Sequence, residues 1–242
     1  FMYPITDMAM ELKTGSIRRK TEHTVRTDIT LDEKDARRLG KAQGTYITVE
    51  ADADADNDEL VSSLADGLKE TSGRADKVLV VGLGNPHLTA DMLGNLVTDK
   101  IETGERIKAL RPSVTGVTGI ESFDVVKGVC NVIKPDVVVA VDSLASATVS
   151  RIGRAFQICS SGITPGSGVG NHRIRLCYET LGVKVVSIGV PLVVYASTIA
   201  EECGGKPDGK LSELIVTPKD IDYLVDRCAE VISKALSKAF VT

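Results

Sequence analysis

Apolar residues in this chain gather in unbroken runs. Residues 78–83 (VLVVGL) and 137–141 (VVVAV) lack the polar alternation of a half-exposed strand. Each predicts a strand covered on both faces. Residues 184–190 (KVVSIGV) read the same way and end at Pro191. Residues 44–49, 115–120 and 156–159 predict further strands. Between them the period changes. Leu60, Leu64 and Leu68 recur every fourth position and predict a helix over 58–71. A helix is expected over 89–100, and another from Ser122 or Asp124 to Ile133, closed by Lys134-Pro135. Thr217-Pro218 opens a last helix with the stripe Ile221, Leu224, Val225, Cys228, Val231, Ile232, Ala235 and Leu236. Apolar strands alternating with helices predict an α/β fold with a mostly parallel sheet covered on both faces. Residues 1–35 are polar, carry Arg18-Arg19-Lys20, and are expected to form an arm outside the core.

Composition narrows the function classes. The 242 residues are 43% hydrophobic and 26% charged, which is ordinary for a globular chain. Aromatics are 4% and Trp is absent, so Val, Ile, Leu and Ala must build the core. Net charge is −4 with no basic stripe, which argues against direct nucleic-acid binding. No apolar run approaches the roughly 20 residues of a membrane span. Five cysteines without a C-x-x-C pair predict reduced thiols rather than a disulfide framework or zinc site.

The loops after the strands carry the candidate chemistry. Gly82-Leu83-Gly84 has His87 where a dinucleotide fingerprint needs its third glycine. The loop 162–171 (GITPGSGVGN) lacks the Lys-Ser/Thr ending of a Walker loop. Its glycines offer backbone N–H groups instead, at Gly166, Ser167 and Gly168. Ser167 with His172 is a conceivable nucleophile and base, without the G-x-S-x-G turn. The acidic tract 52–58 reads as a solvated turn and lacks the glycine and terminal glutamate of an EF-hand loop. Asp91 and Asp142 follow the two Val-rich strands, where ligands gather in open α/β sheets. Either acid alone reads equally well as a helix cap. Together they suggest acid–base chemistry. Two charges about 4 Å apart repel by about 4 kcal/mol at an effective dielectric of about 20, close to a thousandfold in proton affinity. One acid then keeps its proton while the other activates water.

Five segments combine into a wider likeness: 81–94 with Asp91, 141–146 with Asp142, 161–171, 178–182 and 188–191. With 44–48, 118–121 and 216–219 they resemble the germination protease family, spore endopeptidases of endospore-forming bacteria. The resemblance spans about 24–240. It implies a three-layer α/β/α sandwich similar to hydrogenase-maturation peptidases. It implies an atypical aspartic-type endopeptidase with Asp91 and Asp142 as the acids and no cofactor. The substrates would be small acid-soluble spore proteins, cleaved during germination in the cytoplasm of the spore core. It also implies a homotetramer and a zymogen that processes itself. Val25-Arg26-Thr27-Asp28-Ile29 matches the processing site, which places the cut at Asp28–Ile29, a pro-segment at 1–28 and one peptidase domain at 29–242. Glu121 would be a supporting acid. Ala90, Met92 and Asn95 stand where the family usually has Pro, Ala and Pro, and Tyr195 replaces a usual Asp. Two further readings remain open: a metal-dependent peptidase with His87, Asp91 and Asp142 as ligands, and a non-catalytic binding relative.

Overall fold

The structure, a computed structural model, describes residues 6–52, 57–166, 173–207 and 209–241. The acidic tract 53–56 and the loop 167–172, with Ser167, Gly168 and His172, lie outside the described residues. The chain first forms β1 (Ser16–Lys20), β2 (Thr24–Leu31), α1 (Glu33–Leu39), β3 (Gly44–Ala51) and α2 (Asn57–Ser72). Next come β4 (Val78–Gly82), α3 (Leu93–Lys100), β5 (Ile107–Leu110), α4 (Thr115–Thr118), α5 (Ser122–Ile133) and β6 (Val137–Ser146). It ends with β7 (Ala155–Cys159), α6 (Tyr178–Leu181), β8 (Lys184–Tyr195), α7 (Ala196–Glu202), β9 (Ile215–Val216) and α8 (Ile221–Phe240).

All described strands share one sheet in the order β1-β2-β3-β7-β8-β6-β4-β5, with β9 beside β8. The block β5-β4-β6-β8 is parallel. The strands from β7 outward to β1 run antiparallel to their neighbours. The unbroken apolar runs are explained by what covers them. Val78, Val80, Val137, Val139 and Val141 pack with residues of α2, α3 and α8. Leu79, Val81, Val138 and Ala140 face the other way, under Val126 and Cys130 of α5 and Leu181 of α6. A strand buried on both faces has no place for alternating polar residues.

Four expectations change. Residues 115–118 form the single turn α4, closed by Gly119 at φ 73°, and the strand lies earlier, in β5. Thr115 Oγ1 donates to Glu121 at 3.0 Å and Ser122 Oγ donates to Ser113 O at 2.8 Å. These local bonds override the β propensity of Val and Thr, since β5 already ends the sheet. Strand β8 does not stop at Pro191. The register with β6 slips between Leu144 and Ala145, and this irregularity absorbs the missing proline N–H. Helix α8 begins at Ile221, three residues past Pro218. The expected arm is built into the fold. Met8 and Ala9 are fully buried, and β2 pairs with β1 on one side and β3 on the other. Its polar look comes from a buried ion pair: Arg26 forks onto Asp28 at 2.9 and 3.0 Å and reaches Glu70 at 2.6 Å.

Close contact between α3 and the ends of β4 and β6 fixes the neighbourhood of the acids. A Cβ on Gly94 would stand 2.4 Å from Leu83 N and 2.5 Å from Val141 O, both backbone atoms. Gly94→Ala should therefore cost about 3 kcal/mol, the upper range for forced overpacking. Urea unfolding reads this directly, and an unchanged midpoint would contradict the packing.

Candidate active site

Past β4 the chain stays beside β6, because Leu83 N–H donates to Val141 O at 2.8 Å. It then turns sharply at Gly84, whose φ of 101° is left-handed and whose Cβ would lie 1.8 Å from Asp91 O. Only glycine fits there. The turn returns as a 3-10 segment, Thr89–Asp91, rather than as the first turn of α3. Asn85 N–H donates to an Asp91 carboxylate oxygen at 2.7 Å and pins it. Asp142 arrives differently. It lies inside β6, opposite Gly189 of β8. It shares the face of Val138 and Ala140, so the strand carries a carboxyl where the preceding positions carry core. Its Oδ1 accepts the Ser143 N–H at 3.0 Å.

Both acids line one cavity of about 610 Å³. Apolar side chains form much of its wall, among them Leu88, Val114, Leu144, Ile163, Val193 and Ile215. Arg173 is the one lysine or arginine lining it among the described residues. Burial pushes the Asp142 carboxyl well above the ordinary carboxylate range, and the charges of Asp91 and then Asp7 push it further. Burial also raises Asp91, against the pull of the Asn85 N–H. Asp142 therefore holds its proton more firmly, and Asp91 ionises beside a neutral neighbour. That is the split a water-activating pair requires.

The other expected site residues are divided. Gly166 lines the cavity. Glu121 is not among the residues lining the cavity; its Oε1 accepts from Thr115 Oγ1 at 3.0 Å and from the cavity-lining Arg173 at 3.1 Å. His87 is exposed and outside the cavity lining. Among the described residues no three His, Cys, Asp or Glu side chains stand close enough to share a metal ion, so His87, Asp91 and Asp142 do not form a ligand set. Asp28 and Ile29 sit in mid-strand, 8% and 3% exposed, with Asp28 opposite Ser16 on one side and Ile47 on the other. They are not among the residues lining the cavity. Asp7, unremarked in the sequence, is among them. The available signal was a repeat: Thr6-Asp7-Met8 and Thr27-Asp28-Ile29 are both Thr-Asp-apolar.

A family model described as germination protease matches residues 6–204. The chain belongs to the germination protease family. It is 36% identical to the germination protease of Caldanaerobacter subterraneus subsp. tengcongensis, covering 86% of this chain and 82% of that protein. It is 31% identical to that of Clostridium perfringens, covering 90% and 86%. Among solved structures it is similar to a [NiFe] hydrogenase maturation protease, HycI, from Thermococcus kodakarensis, at 22% identity and a TM-score of 0.45, covering 71% of this chain and 99% of that one. That likeness is too loose to carry mechanism. Family membership makes the chain a peptidase by kind, and among the described residues no helix is long and apolar enough to cross a membrane.

The raised carboxyls have a measurable consequence. Between the ordinary aspartate value of about 3.9 and its raised value, Asp142 binds more proton in the folded chain than in the unfolded one. Stability then falls as pH rises through that window. Asp142→Asn removes this loss. The variant's unfolding free energy relative to wild type should climb with pH from about 4 upward, as read by urea unfolding at a series of pH values. A difference that stays flat with pH would contradict the buried, proton-holding carboxyl.

Proposed function

We propose that the chain is an endopeptidase of small acid-soluble spore proteins in which Asp91 and Asp142 act on one water. The observation that carries this reading is two carboxyls lining a single apolar cavity, both pushed up by burial. Asp91, the acid that ionises more readily, takes a proton from water as the oxygen adds to the peptide carbonyl. Asp142, which keeps its proton, donates it as the tetrahedral carbon collapses and the amine leaves. The apolar wall lowers the local dielectric, which strengthens both interactions. Membership of the germination protease family supports a protein substrate.

Asp91→Asn and Asp142→Asn each remove one partner in proton transfer. Each should lower cleavage of a purified small acid-soluble spore protein by at least about 100-fold while the circular dichroism spectrum stays native. Discrete fragments counted by mass spectrometry provide the readout. Wild-type rates should trace a bell in pH, falling on the acid side as Asp91 takes a proton and on the alkaline side as Asp142 loses one. Undiminished cleavage by either variant would overturn the assignment.

A further inference from the structure

One wall of the cavity is held in place by little. Val114, Thr115 and Ser122 line it, on the stretch that joins β5 to α5. No residue from 113 to 125 is buried. Strand β5, at its root, is an edge of the sheet. Ser113 sits at φ 62°, in the left-handed region where a residue with a side chain is uncommon. Beyond it the stretch bonds to itself. Val117 N–H donates to Val114 O at 2.9 Å, and Gly119 N–H to Thr115 O at 2.8 Å. Thr118 Oγ1 donates to Ile120 O at 3.2 Å, and Thr115 Oγ1 to Glu121. Ser122 Oγ closes the base on Ser113 O at 2.8 Å. Among the described residues, one side chain from elsewhere in the chain bonds to residues 114–121. It is Arg173, which lines the cavity from the stretch after β7 and donates to Glu121 Oε1 at 3.1 Å. The two side chains are 37% and 31% exposed, so the pair stands at the rim of the cavity.

A segment without core residues opens at low free-energy cost. A residue at its root, already off the common backbone regions, can absorb the swing. An ion pair at this exposure shifts an equilibrium by at most about fivefold. It holds the segment closed without locking it. We propose that residues 114–121 are a flap, that the Glu121–Arg173 pair is its latch, and that the flap opens to admit an internal stretch of polypeptide to the acids and then closes over it. The inference rests on the peptidase reading above, and it gives Glu121 a part in access rather than in proton transfer. When closed, the pair ties two stretches of the cavity rim together. A polypeptide that extends past both ends of the cavity has to cross that rim. A peptide short enough to lie within the cavity makes no such crossing. The latch therefore sets which substrates reach the acids, at a cost that salt can lower.

Cleavage of a purified small acid-soluble spore protein, set against cleavage of a short peptide spanning the same bond, tests this in wild type, Glu121→Gln and Glu121→Lys. The ratio of the two kcat/KM values, protein over peptide, should rise about two- to fivefold in Glu121→Gln. It should rise further in Glu121→Lys, whose charge repels Arg173. Raising the ionic strength from about 0.05 M to about 1 M should lift the wild-type ratio more than that of Glu121→Gln, because salt screens an exposed pair. Both limbs of the pH profile should stay in place in all three proteins. The sequence contains no Trp, so Val117→Trp puts a single reporter on the flap. Its emission should shift when a saturating Trp-free polypeptide substrate is added. An unchanged ratio, a displaced limb, a fall in cleavage of both substrates by Glu121→Gln, or an emission indifferent to substrate would overturn the flap and leave the peptidase reading standing. Absence of cleavage of either substrate by wild type would overturn the peptidase reading with it.

Discussion

A carboxyl buried inside a sheet, beside a second carboxyl, is the constraint on which the rest of this structure depends. Asp142 sits within β6 at the level of Gly189, on the face of Val138 and Ala140, and lines the cavity. An ionised carboxylate there would lose most of its solvation. The fold accommodates it by leaving it a proton and one N–H donor. The Gly84 turn and the Gly94 contact, which bring α3 and the 89–91 segment against the ends of β4 and β6, put Asp91 within electrostatic reach of it.

The Val-rich strands β4, β6 and β8 were legible, and the two acids stood out beside them, because those signals are local. An unbroken Val run cannot sit on a wet face, and an acid at its end is exposed by contrast. The helix 58–71 was legible for the same reason: Leu60, Leu64 and Leu68 point one way, and α2 covers Asn57–Ser72. The family motifs lie in these same stretches, so residue reading and resemblance agreed on Asp91 and Asp142.

What was not legible depends on partners distant in sequence. The N-terminal stretch looked solvated because nothing local reveals that Arg26 lies between Asp28 and Glu70, or that β2 has β3 beside it. Pro191 looked like a strand end because the slip that accommodates it lies on β6. Nothing near Glu121 in sequence reveals its ion pair with Arg173. Asp7 was hidden most thoroughly. Its partners Lys41, Ala145 and Gln157 come from three separate parts of the chain.

In the proposed mechanism Asp91 and Asp142 divide one proton unequally, with Asp142 holding it. Carboxyl carbon NMR of protein labelled with ¹³C-aspartate, titrated in wild type and in Asp91→Asn, measures this directly. The Asp142 resonance should titrate well above the ordinary aspartate range, and its midpoint should fall when the Asp91 charge is removed. An Asp142 midpoint in the ordinary range, indifferent to Asp91→Asn, would contradict it.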